Sequence, residues 1–145
     1  MTTNKVSIRI HLAADPTQQA WLTMHVQRRD DQQVRLKAEV AEALAADPVS
    51  FLHPVPANQA HIIKTEIMGG IVTAKKHAGV GCTVELVSVG GASGEVRSVS
   101  GVPSIAFAVA STLAVLQGLE KEDLRVAPHG GYGWKLDEVA VESVD

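Results

Sequence analysis

The densest collection of reactive side chains in this 145-residue chain is the run His129-Gly130-Gly131-Tyr132-Gly133-Trp134. It contains the single tyrosine and one of the two tryptophans of a chain that is only 3% aromatic. Glycine lets a backbone approach a ligand closely and adopt positive φ. The composition therefore reads as a ligand-facing loop. His129 would act as acid or base, with Tyr132 as a second catalytic donor. Gly130 and Gly131 would line the ligand, and Trp134 would wall it. The competing reading is a tight turn whose aromatic residue anchors on a sheet.

The other reactive groups carry weaker patterns. His11 and His25 lie on the polar faces of two alternating segments, where adjacent strands would set them across from or diagonal to one another. Two imidazoles begin a zinc site but do not complete it, and no HxH, HExxH or CxxC spacing occurs, so no metal is expected. His53, His61 and His77 read as structural or solvated, His77 fitting a helix end. The lone Cys82 follows a helix C-terminus, whose field disfavours a thiolate, so it reads as buried and inert. Gly90-Gly91-Ala92-Ser93-Gly94 has the composition of a phosphate loop without the GxGxxG or GxxxxGK[ST] spacing. It reads as a hairpin loop, and no cofactor is expected.

The elements that would position these groups are legible from periodicity. Val6, Ile8, Ile10 and Leu12 alternate with Ser7, Arg9 and His11, giving a half-buried strand ended by Asp15-Pro16. Leu22, Met24 and Val26 alternate again, then a polar tip at 28–33, then Val34, Leu36, Ala38 and Val40. The simplest account is a three-stranded antiparallel meander. Residues 33–46 also read as helix; a strand giving way to a short helical turn before Asp47-Pro48 is preferred.

After the proline-stiffened crossing Phe51–Pro56, Ala60, Ile63, Ile67, Gly70/Ile71, Ala74 and Ala78 recur at helical steps, with Asn58 as N-cap and Gly79 at the C′ position. Gly69-Gly70 inside that helix costs roughly 1 kcal/mol per glycine, which implies close approach of another backbone. Cys82–Val89 reads as a strand and Glu95–Ser100 as its return. A second helix would run from near Pro103 to Gly118, with Ile105, Val109, Thr112/Leu113 and Leu116 on its face. Arg125–Ala127 and Val139–Val144 are short extended pieces. The fold class expected for residues 1–145 is a single α+β domain: a mainly antiparallel sheet with two helices on one face, echoing two ββα units.

The stretch Ser98-Val99-Ser100-Gly101-Val102-Pro103-Ser104-Ile105-Ala106, with the alanine-rich helix that follows, resembles the end of the non-Rossmann domain of saccharopine-dehydrogenase-like oxidoreductases. The polar-tipped segment Trp21–Val40 is similar in character, and the resemblance covers about a third of the chain. It implies a substrate-side or oligomerising domain. The dinucleotide-binding half is missing from these residues, so neither hydride transfer nor any catalytic residue carries over.

Composition bounds the rest. Thirteen basic against sixteen acidic residues give a net charge of −3, which excludes the basic footprint of a general nucleic-acid binder. One cysteine excludes an intrachain disulfide. The apolar run 99–119 is too interrupted for a membrane span, and no leader-like segment opens the chain, so a cytoplasmic protein is expected. A helix without charge from Val99 to Gln117 wants cover on several sides, which points to a homo-oligomer or partner subunit. The expected function is a small-molecule-binding or oligomerisation domain. The alternatives are a small enzyme of isomerase, lyase or hydrolase type working through the His129 loop, and a structural subunit of a larger complex.

Overall fold

The alternation at the N-terminus makes a long hairpin. In the computed structural model β1 (Thr3–Leu12) and β2 (Asp15–Arg28) pair antiparallel, turning at Ala13-Ala14. The structure describes residues 3–37, 40, 42–43, 57–91, 105–120 and 134–144. The turn precedes Asp15-Pro16 rather than falling on it. Leu12 pairs with Asp15 and His11 already with Gln19, so residues 16–18 are absorbed in an irregularity of β2. Proline is tolerated there because it lies outside the regular ladder.

The expected meander is corrected. β3 (Val34–Lys37) does not pair with β2. β4 (Cys82–Gly90) lies between them, antiparallel to β2 and parallel to β3. With β5 (Trp134–Ser143) antiparallel to β1, the sheet order is β3-β4-β2-β1-β5. Residues 28–33 are therefore an arch across the start of β4 and not a hairpin tip. The Arg29 guanidinium donates twice to the Asp31 carboxylate, at 2.7 Å each, and once to Thr83 Oγ1 at 3.1 Å. That fork holds the Asp31 carboxyl down at about 2. The Gln33 N–H donates to Asp31 Oδ1, and the Cys82 N–H to the Gln33 carbonyl. Gly81 sits directly beneath: a Cβ there would stand 2.2 Å from the Gln33 carbonyl oxygen and 2.7 Å from that of Asp31.

After β3 the chain turns helical at Val40, Glu42 and Ala43, with Val40 and Ala43 buried, as preferred from sequence. The first long helix, α1 (Ala57–Ala78), buries Ile63, Ile67, Gly70, Ile71 and Ala74, the face its periodicity sets. It ends on Gly79 at φ +75°. The second, α2 (Ala106–Gly118), is buried along nearly its whole length, from Ala106 to Leu116. It starts later than expected, and Ile105 stands exposed just ahead of it. It packs against β1 and β2 on one side and α1 on the other.

The cover that a fully apolar helix requires is thus supplied within one chain. The argument from α2 to an oligomer loses its premise. The class is α+β, a mostly antiparallel sheet with two helices on one face. Two separate ββα halves do not describe it, because β4 is inserted into the first half.

α2 has no cap of its own at its N-terminus, where Ile105 offers no side-chain hydrogen bond. Its ends are served by neighbours. Asn4 Nδ2 on β1 donates to the Gly118 carbonyl at 2.9 Å. Glu66 on α1 lies by the Phe107 and Ala108 N–H groups. Midway, Gly70 lets the two helices meet: a Cβ there would fall 1.9 Å from Ser111 Oγ and 2.4 Å from the Ala108 carbonyl. The buried Ser111 and Thr112 hydroxyls share their protons between Ala108 and the α1 carbonyls of Ile67 and Gly70, at 2.9–3.2 Å. Gly69, one residue earlier, faces open space.

Candidate functional site

The helix side of the sheet is filled by Val6, Ile8, Ile10, Leu22, Met24 and Val26. No described element covers the opposite face, and there the polar partners of the alternation line up in rows across the strands. One row is Ser88, Thr23, Ser7 and Ala140. The next, toward the β1–β2 turn, is Gly90, Trp21, Arg9 and Glu138. On the other side runs Glu85, His25, Lys5 and Glu142. Rows on one face lie roughly 7 Å apart along the strands. A row of small residues between two rows of large ones leaves a depression. It is a hollow of about 230 Å³ lined by Ser7, Arg9, Trp21, Thr23, Ser88 and Glu138.

Its polar groups are arranged with some economy. The Arg9 guanidinium lies over the Trp21 ring, 4.3 Å from the centroid. Such a cation–π contact is worth roughly 0.5–1 kcal/mol at an exposed site and uses none of the guanidinium N–H donors in a hydrogen bond. Arg9 and Glu138 are direct partners in the β1–β5 register, yet among the described residues neither forms an ion pair. Ser7 and Thr23 share a hydrogen bond across β1 and β2 at 3.2 Å. The Trp21 indole Nε1 is shielded from solvent and has no hydrogen-bond partner among the described residues. An unsatisfied buried donor costs about 1–3 kcal/mol, so this wall holds a hydrogen bond in reserve.

One row beyond, His11 Nδ1 lies 2.8 Å from Asp137 Oδ2. A carboxylate can only accept, so Nδ1 donates in this contact, and Nε2 makes no hydrogen bond among the described residues. That is the orientation of a general base. Its natural nucleophile would be a hydroxyl, but Ser7 lies four residues along the same strand, about 13 Å away, so among the described residues no hydrolytic triad is assembled.

The histidine pair read from sequence is not brought together. His11 pairs with Gln19 and His25 with Lys5, so the two sit at opposite ends of β2, His25 being 3.9 Å from Glu85 instead. Among the described residues no group of three His, Cys, Asp or Glu could hold a metal ion, and no helix is long and apolar enough to cross a membrane. Cys82 is buried, and burial pushes its thiol up to about 11.

His129, Gly130, Gly131 and Tyr132 lie outside the described residues, as do residues 98–104 of the family resemblance, the return strand 95–100 and the segment 51–56. Trp134 is placed. It opens β5 opposite Leu12 and packs half-buried against the core, on the helix side and away from the hollow. Trp134→Ala is expected to destabilise the domain by about 2 kcal/mol in urea titration, less than the 3–5 kcal/mol of a fully buried tryptophan.

The sequence reading passed over the hollow because Ser7, Arg9 and Thr23 read as a solvated face. The available signal was Trp21. A tryptophan on the polar side of a strictly alternating strand has a reason to be there other than the core.

Fold and site together define an α+β domain with a polar sheet face that no described element covers and a hollow of about 230 Å³ on it. A scan against protein-family models matches no family, and searches of curated proteins and of solved structures return no match.

Proposed function

We propose that this domain binds a small polar molecule in the hollow on the helix-free sheet face. The observation that carries this is the Arg9 guanidinium, held over the Trp21 ring beside the Ser7, Thr23 and Ser88 hydroxyls and free of any described carboxylate. An arginine held by an aromatic ring and left without an acidic partner is a preorganised anion receptor. Ligand pockets for drug-sized molecules run about 300–1,000 Å³, so a hollow of about 230 Å³ suits something smaller and has no room for a dinucleotide. The reading keeps the substrate-side role that the family resemblance implies and leaves hydride transfer aside.

The test is a thermal-shift panel of small carboxylates, phosphates and amino compounds, run on the wild type and on Arg9→Met. At least one anionic compound is expected to raise the wild-type Tm, and Arg9→Met to abolish the shift while melting within a few degrees of the wild type without ligand. Equal shifts in both proteins would place binding elsewhere.

A further inference from the structure

The hollow holds opposite charges on its two sides. Arg9 is on β1, but its guanidinium leans over Trp21 on β2, while Glu138 is on β5 at the far side of β1. β2 and β5 are two strand spacings apart, which is roughly 10 Å. The register sets Arg9 and Glu138 opposite one another, and the stacking on Trp21 draws the guanidinium away from its natural partner. Among the described residues these two charges of opposite sign have no ion-pair partner, and on one hollow they ask for a ligand with the complementary pair.

We infer that the ligand is an ω-amino acid, its carboxylate on Arg9 and its ammonium group on Glu138. This rests on the binding reading above and adds the ligand's chemical class. The spacing sets the length. Each charge-assisted hydrogen bond takes up about 2.8 Å of the 10 Å gap. About 4–5 Å remains between the ligand's own charged ends, which a chain of three or four methylenes bridges in a bent conformation. An α-amino acid, whose two charged groups sit on one carbon, is too short to reach both sides. The Ser7, Thr23 and Ser88 hydroxyls flank the path between the charges and can serve as donors or acceptors to its middle. The Trp21 ring supplies an apolar wall for the methylenes.

The experiment is a nitrogen–proton correlation NMR titration that follows the Trp21 indole N–H signal, assigned by its loss in Trp21→Phe. The probes are 5-aminopentanoate, pentanoate and pentylamine, alike in length and differing in which charges they carry. The inference expects a saturable shift with 5-aminopentanoate and at least tenfold weaker binding of the two singly charged probes. Glu138→Gln should weaken 5-aminopentanoate about tenfold and leave pentanoate unchanged, while Arg9→Met weakens both. Arg9 and Glu138 are exposed, so both variants are expected to fold, with circular dichroism as the check. Equal binding of pentanoate and 5-aminopentanoate, indifferent to Glu138→Gln, overturns the zwitterion and leaves a carboxylate site. No shift with any probe also overturns it; an Arg9-dependent hit in the thermal-shift panel would then show that binding itself survives.

Discussion

Gly70→Ala is expected to cost the domain about 3 kcal/mol, lowering Tm by roughly 10 °C, while Gly69→Ala raises stability by about 0.5–1 kcal/mol. The two glycines are neighbours in one helix with the same intrinsic propensity, so the difference in sign comes from what surrounds them. At Gly70 a Cβ meets Ser111 Oγ at 1.9 Å and the backbone carbonyl of Ala108 at 2.4 Å. The hydroxyl could rotate, but the carbonyl belongs to α2, which is buried on all sides and has nowhere to move. Accommodating the methyl would part the helices and weaken the bonds from Ser111 and Thr112 to the α1 carbonyls. At Gly69 nothing stands within 4 Å, so alanine simply removes the backbone entropy cost of glycine. Urea denaturation of the two single variants reads both effects. Equal losses would mean that the helices do not touch at Gly70.

Glu66→Gln is expected to leave stability nearly unchanged at pH 4 and to raise it by about 2 kcal/mol at pH 8. The Glu66 carboxylate oxygens are shielded from solvent and make no hydrogen bond of full geometry. Burial, the larger effect, pushes its pKa up to about 7; the Ala108 and Phe107 N–H groups at the start of α2 pull it partly back. In the unfolded chain the same group titrates near 4.5. Below that value both states hold the proton and the group contributes no difference. Between 4.5 and about 7 the folded state keeps a proton that the unfolded state has lost, so stability falls as pH rises. Above about 7 the cost is complete. Glutamine carries no charge and removes this slope. Denaturation midpoints at a series of pH values decide the matter, and parallel curves for the two proteins would exclude a buried carboxyl at this place.

The alternation in β1 and β2, the strand β4 and the buried stripe of α1 were legible because each depends only on residues a few positions apart. The glycine pair in α1 announced a close approach, and Gly70 makes one with α2. Neighbour order was not legible. Alternation fixes which face a side chain takes and says nothing of which strand lies alongside, so β2 and β3 read as a hairpin when β4 separates them. The polar segment 28–33 fits a tip or an arch equally well. What decides is Gly81, distant in sequence, which alone leaves room beneath the Gln33 carbonyl. The hollow was illegible for the same reason, since its residues come from β1, β2, β4 and β5 and meet only once the register is known.

That strand order also bears on the growing chain. Synthesis delivers β1 and β2 first, and their hairpin needs nothing that comes later. β3 follows at once, but its partner among the described strands is β4, and α1 must be translated in between. Until β4 (Cys82–Gly90) arrives, Val34 and Leu36 are an apolar strand without its native neighbour, beside a β2 whose own outer edge is open. The Arg29–Asp31 fork spans only two residues, so it can close early and hold β3 one strand's width away from β2. The arch is in this sense a spacer laid down before the strand it makes room for.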